Sequence, residues 1–320
     1  TVSCVEGDHG TVFHGLPAYD VEEINLKNIP TTRTQIMLNV GSPEKALAAA
    51  RLPQDGVGLA RLEFIIASQI GYHPLYLLKV GREDDFVNKL VLGLGRIAGA
   101  FYPKPVIFRF SDFKSNEYAG LMGGKAFEPE EENPMIGWRG ASRYYDERYR
   151  EAFKLECLAV KTVIEKFGLD NVNVMVPFVR TPDEAEKVRR IIDDEGVNAD
   201  VYMMCEIPSN VIQAREFLQY FDGYSIGSND LTQTTLGLDR DSPLVAHLYD
   251  ERNESVKTLI AKAIETCKDM NKKVGLCGQA PSDYPEFAEF LVKCGIDSIS
   301  VTPDVVVKIR LLVAQVEARL

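Results

Sequence analysis

From residue 35 onward, short apolar runs alternate with amphipathic stretches at helical spacing, and this rhythm limits the possible folds more than any other feature. The strand candidates are Gln35–Val40, Gly56–Leu62, Pro105–Phe110, Val172–Phe178, Val201–Ile207, Gly223–Gly227 and Val274–Cys277, with Met135–Arg139 and Ser298–Val301 weaker. Helical patterns between them cover Ser42–Arg51, Asp146–Phe167, Thr181–Gly196, Asn253–Met270 and Tyr284–Cys294. Ser42 ahead of Pro43 is a helix-start signal. Runs such as Val174-Met175-Val176 lack polar alternation, as strands buried on both faces do. Strand and helix in succession over ~270 residues predict a parallel α/β domain. Nine candidates compete for the eight places of a barrel, so one of them lies outside the ring. A doubly wound open sheet also fits the alternation, but it usually carries GxGxxG after its first strand. Here Gln35–Val40 runs into Gly41-Ser42-Pro43 instead. The expected fold is therefore a (β/α)8 TIM barrel over residues 33–320. Residues 1–32 are turn-rich, with a short strand candidate at Gly10–Phe13, and break off at Asn28-Ile29-Pro30.

Charged and reactive residues fall at the ends of these strand candidates. Arg61 closes the second, Arg109 lies near the end of the third, and Arg139 follows Met135–Trp138. Glu206 ends Val201–Cys205, Asn229 and Asp230 follow Gly223–Gly227, and Cys277 follows Val274–Leu276. In a barrel such positions share the C-terminal face, where active sites are built. One arginine after a strand is usually a rim ion-pair partner; six or seven reactive groups at the same relative place have no comparable structural explanation. Converging guanidinium groups suit phosphate and carboxylate through paired hydrogen bonds. Glu206 and Asp230, from neighbouring strands, could share one hard cation, Mg²⁺ or Mn²⁺, with substrate oxygens. Cys277, as a thiol beside a metal and arginines, could have a lowered pKa and exchange a proton with carbon. Cys157, Cys205, Cys267 and Cys294 are expected to be small core residues.

Composition removes several alternatives. The net charge of −11 argues against a nucleic acid or an anionic membrane surface as the main partner. No run of ~18 apolar residues and no secretory signal pattern occurs. Six cysteines without a CxxC pair fit a reducing cytoplasm rather than a disulfide scaffold. The four histidines show no HxxxH or HExxH spacing, which disfavours a zinc site.

Long motifs carry a family resemblance. They are Gly56-Val57-Gly58-Leu59-Ala60-Arg61-Leu62-Glu63, Phe108-Arg109-Phe110-Ser111-Asp112, Glu132-Asn133-Pro134-Met135-Ile136-Gly137-Trp138-Arg139-Gly140, Glu206-Ile207-Pro208, Gly227-Ser228-Asn229-Asp230-Leu231-Thr232-Gln233, Asp239-Arg240 and Cys277-Gly278. With these, essentially the whole chain resembles the phosphoenolpyruvate-utilising enzymes. Ser111-Asp112-Phe113-Lys114-Ser115-Asn116-Glu117-Tyr118 and Cys277-Gly278-Gln279 are most similar to the synthase (pyruvate, water dikinase) branch.

The resemblance implies a barrel that binds phosphoenolpyruvate or pyruvate. It implies that Arg61, Arg109 and Arg240 hold the transferring phosphoryl group, with Arg139 in the same basic cluster. It further implies that Glu206 and Asp230 hold Mg²⁺ or Mn²⁺, that Asn229 contacts substrate, and that Cys277 moves the proton at the methyl or methylene carbon. The implied partners are an ATP-grasp domain and a swivelling phosphohistidine domain of a longer chain, which together would turn ATP, pyruvate and water into AMP, phosphoenolpyruvate and phosphate. Neither a GGxTSH-like segment nor a nucleotide-binding domain is visible in the 320 residues, and residues 1–32 resemble the tail of the swivelling domain and its linker. A start at Thr1 rather than Met fits a piece of a longer protein. Alternatives are the barrel of a pyruvate phosphate dikinase or of phosphotransferase-system enzyme I, or an assembly module inactive alone. Barrels of the family commonly pair, so a cytoplasmic homo-oligomer is expected.

Overall fold

The computed structural model describes residues 2–6, 9–12, 14–15 and 26–320. Strands β1 (Val2–Glu6) and β2 (His9–Val12) form an antiparallel hairpin, Val2 opposite Val12. The candidate at Gly10–Phe13 thus falls mostly on β2, while Phe13 lies outside the described residues.

Eight parallel strands then close a barrel: β3 (Gln35–Val40), β4 (Val57–Arg61), β5 (Val106–Arg109), β6 (Val172–Val176), β7 (Val201–Cys205), β8 (Gly223–Ile226), β9 (Lys273–Leu276) and β10 (Ser298–Val301). The weak candidate β10 is the strand that shuts the ring, pairing with β9 on one side and β3 on the other. The other weak candidate, Met135–Arg139, is not a strand. Pro134 has a fixed φ and no N–H to give to a ladder, and Pro134–Ile136 forms a 3₁₀ turn. Gly140 follows at φ +56°, so the chain bends away from any extended path.

Alternation along the strands sorts the side chains into two layers. Leu59, Ile107, Met175, Met204 and Cys277 pack together inside the barrel. Their neighbours Ala60, Phe108, Val174, Val176, Met203 and Cys205 face outward into the main core beneath the helices. Both faces are largely buried, which is why runs such as Val174-Met175-Val176 lack polar alternation. Because the period is two, Leu59 inside carries Arg61 inside, Ile107 carries Arg109, Met204 carries Glu206, and Gly275 carries Cys277.

Local signals explain the helix starts. Thr181 accepts a hydrogen bond from Glu184 N at 3.2 Å and caps Pro182–Asp194, and Asn253 accepts from Ser255 N ahead of Glu254–Asp269. Two further helices are Glu83–Phe101 and Val306–Glu317. Glu83–Phe101 contains three glycines, a composition that weakens a helix in isolation. Two of them let neighbours approach: a Cβ at Gly93 would lie 2.8 Å from Ile65, and one at Gly95 would lie 2.9 Å from Phe167. No helix among the described residues is long and apolar enough to cross a membrane.

Candidate active site

A pocket of about 330 Å³ opens at the C-terminal end of the barrel. All eight residues singled out by the sequence line it: Arg61, Arg109, Arg139, Glu206, Asn229, Asp230, Arg240 and Cys277. Arg61 and Arg109 are the last residues of β4 and β5, and Glu206 directly follows β7. Asp230 lies in the first turn of the helix Ser228–Leu236, so strand-to-helix turns supply both carboxylates. Arg139 comes instead from the long loop between β5 and the helix Arg150–Phe167. Its Nη1 donates to Met135 O at 3.0 Å, and its guanidinium lies over the Phe178 ring, 4.1 Å from the centroid.

The structure adds residues that the strand-end pattern contained but did not single out. Asp112 receives two hydrogen bonds from Arg139, at 3.0 and 2.6 Å, and stands 3.7 Å from Arg109. Glu63 pairs with Arg109. Both follow an arginine-bearing strand end by two or three positions, the same signal that marks Arg61 and Arg109. Lys114 also lines the pocket and pairs with Asp241 at 3.4 Å across its rim.

Asp112, Glu206 and Asp230 each turn one carboxylate oxygen to within 4.8 Å of the others. Arg139 reaches Asp230 at 2.9 Å, while Arg240 stands off its Oδ1 at 3.7 Å. That Oδ1 is buried and accepts no hydrogen bond. Three clustered carboxylates, one of them carrying an oxygen that accepts no hydrogen bond, form a donor set suited to a hard divalent cation. Glu206 is fixed from behind: Phe178 N–H donates to its Oε1 at 2.7 Å, and its backbone N–H donates to Asn210 Oδ1 at 3.1 Å.

Burial dominates the proton affinities here. Burial first, then the charges of Asp230 and Asp112, raises the pKa of Glu206. Burial would also raise Asp230, but Arg139 and Arg240 outweigh it and hold that carboxyl below its ordinary value. Arg61 makes no ion pair among the described residues, and burial followed by the nearby Arg109 lowers its pKa. For Cys277 the arginines by themselves do not produce the lowered pKa that a thiol beside arginines and a metal could have. Burial raises it, outweighing the hydrogen bond with Ser225 and the charges of Arg109 and Arg61. Its Sγ lies 3.8 Å from Ile226 O. Cys157, Cys205 and Cys267 are buried in the outer core as expected, and Cys294 is half-buried. Asn229 sits at the pocket wall with its Oδ1 accepting from Gln279 N at 3.1 Å.

Residues 18–318 match the family described as "PEP-utilising enzyme, PEP-binding domain". Among curated proteins, the chain is 57% identical over its whole length to a phosphoenolpyruvate synthase of Synechocystis, covering 42% of that protein. It is 50% identical to the phosphoenolpyruvate synthase of Aquifex aeolicus and 48% to that of Escherichia coli, covering 46% and 43% of them. The chain thus spans less than half the length of these relatives.

Proposed function

The chain belongs to the PEP-utilising enzymes, matching their PEP-binding domain, and from that membership we propose that it is the part of a phosphoenolpyruvate synthase in which pyruvate receives its phosphoryl group. The observation that carries the reading is the meeting of four arginines, three buried carboxylates and one thiol in a single pocket at the barrel's C-terminal mouth. The relatives' shared name favours the synthase branch over a dikinase or enzyme I.

In this reading Arg61, Arg109 and Arg240 take the anionic groups of the incoming phosphoryl donor and product. Arg61, which makes no ion pair among the described residues, is the arginine most ready to accept an anionic group. Arg139 is already committed to Asp112 and Asp230 and sets the shape of the cluster. Glu206 and Asp230 hold Mg²⁺ or Mn²⁺, with Asp112 close by. When bound, such an ion supplies positive charge where the substrate's oxygens turn negative. Asn229 contacts the substrate. Cys277, in the thiolate form that burial opposes and Arg109 and Arg61 favour, takes a proton from the methyl carbon of pyruvate, leaving an enolate. The enolate oxygen then forms a bond to phosphorus while the N–P bond of a phosphohistidine breaks, its electron pair returning to the imidazole. The rest of the longer chain provides that histidine and the ATP chemistry. Residues 1–32 are the end of the histidine-bearing domain and its linker, and 33–320 the barrel. Self-association of barrels belongs to the same reading and is checked by the mass in solution. So does a reducing cytoplasm, with which the five described free cysteines agree.

Calorimetry with Mn²⁺ and oxalate, a planar dianion resembling the pyruvate enolate, tests the reading. Each should tighten binding of the other. Independent binding, or none, would contradict it.

A further inference from the structure

Two buried carboxylates outside the pocket have no place in the chemistry above. Glu156, on the helix Arg150–Phe167, is fully buried, and Glu251, before the helix Glu254–Asp269, is 5% exposed. Neither lines the pocket and neither makes an ion pair among the described residues. Each accepts a hydrogen bond from a serine hydroxyl next to a pocket carboxylate: Glu156 from Ser111, adjacent to Asp112, and Glu251 from Ser228, two residues before Asp230.

The attachment at Ser111 is extensive. Its N–H donates to Glu156 Oε2 at 2.9 Å while its hydroxyl donates to Oε1, and its carbonyl accepts from Tyr144 OH at 2.7 Å. Two donors on one residue meet two acceptors on one carboxylate; glutamine keeps both contacts only if the hydroxyl turns to accept from its NH₂, and the charge-assisted bond is then lost. At Ser228 a second neighbour confines the turn: a Cβ at Gly278 would run into the Ser228 hydroxyl, so the loop carrying Cys277 rests on the residue that Glu251 holds. Removing two carboxylates from water is costly, and well-packed apolar side chains would serve stability as well or better. Charge-assisted bonds to serine hydroxyls instead give short, directional anchors.

We infer that Glu156 and Glu251 are positioning residues, each acting through its serine to hold Asp112 or Asp230 at the place where the three pocket carboxylates converge. The inference rests on the proposed reading of that cluster as a cation site. Outer partners of metal-binding groups typically govern affinity by roughly 10–100-fold.

The test is Mn²⁺ affinity of the 320-residue chain with saturating oxalate at pH 8, by calorimetry, alongside thermal melting of each variant. Glu156→Gln, Glu251→Gln, Ser111→Ala and Ser228→Ala should each weaken Mn²⁺ binding by about tenfold or more in protein that melts cooperatively. Glu251→Gln should add nothing further to Ser228→Ala, since both cut one connection. If a glutamine variant fails to fold, the alanine variant of its serine carries the measurement. Wild-type affinity in the folded variants, or independent losses from Glu251→Gln and Ser228→Ala, would overturn the inference while leaving the proposed function standing. Failure of the unsubstituted chain to bind Mn²⁺ with oxalate would remove both.

Discussion

Asp230 meets more competing demands than any other residue of the pocket. Arg139 and Arg240 already neutralise it, and one of its oxygens is still without a hydrogen-bond donor. Asp230→Asn keeps the shape but removes the charge, so Mn²⁺ binding in the presence of oxalate should weaken by at least tenfold. Unchanged affinity by calorimetry would take Asp230 out of the site. Glu156 gives a second test, in stability rather than binding. Burial raises its pKa from an ordinary 4.5 to about 7. An acid whose folded pKa is raised contributes stability that is fully present below pH 4.5 and is lost as the pH rises to about 7. Relative to wild type, Glu156→Gln should therefore gain on the order of 3 kcal/mol in unfolding free energy between pH 4.5 and pH 8. A pH-independent difference in denaturant titrations would show that Glu156 ionises freely in the fold. At this scale the sequence was informative because strand ends converge: a charge placed just after an apolar run marks the mouth. Asp112 and Glu63 obey the same rule and escaped only because they stand two or three residues later. Burial works against the arginines at the thiol, because its pKa also depends on how dry its surroundings are, which spacing does not reveal.

Among the elements, the loop from β5 to the helix Arg150–Phe167 departs most from the sequence pattern. Met135–Arg139 has strand-like composition, but Pro134 and Gly140 bend it into a turn that brings Arg139 over the pocket. Gly140 is required twice over: its φ is +56°, and a Cβ there would lie 2.5 Å from Pro177 O. Gly140→Ala should cost about 3 kcal/mol and weaken oxalate binding by shifting Arg139. Thermal melting checks the first effect and calorimetry the second; an unperturbed variant would mean the turn relaxes freely. By contrast, Thr181→Ala removes one cap on the helix Pro182–Asp194, which contributes no residue to the pocket lining. It should cost ~1 kcal/mol and leave ligand binding unchanged. The eight strands were legible because they rest on burial of both sheet faces, whereas Ser42 does precede the turn Pro43–Lys45 but gives its hydroxyl to Glu44 and makes no side-chain cap. The helix Glu83–Phe101 was not legible, because its glycines are explained only by the side chains that pack against them.

For the whole molecule, the net charge is −11, yet the pocket gathers four arginines. With Lys114 they face five carboxylates in the same lining, Glu63, Asp112, Glu117, Glu206 and Asp230, so the pocket is balanced in charge within an acidic chain. The chain covers 42–46% of relatives named phosphoenolpyruvate synthase, and its 320 residues show no phosphohistidine motif. By itself it should form no phosphoenolpyruvate from ATP and pyruvate, and turnover by purified chain would show that this division of labour is wrong. In the proposed reading, proton transfer at carbon needs only the barrel. The most direct measurement is therefore exchange of pyruvate methyl protons with deuterated water, followed by NMR in the presence of Mg²⁺. The account predicts slow exchange by the unsubstituted chain and none by Cys277→Ala, with Mn²⁺ and oxalate binding intact in the variant. Equal exchange by both would contradict the assignment of Cys277 as the group that moves the proton.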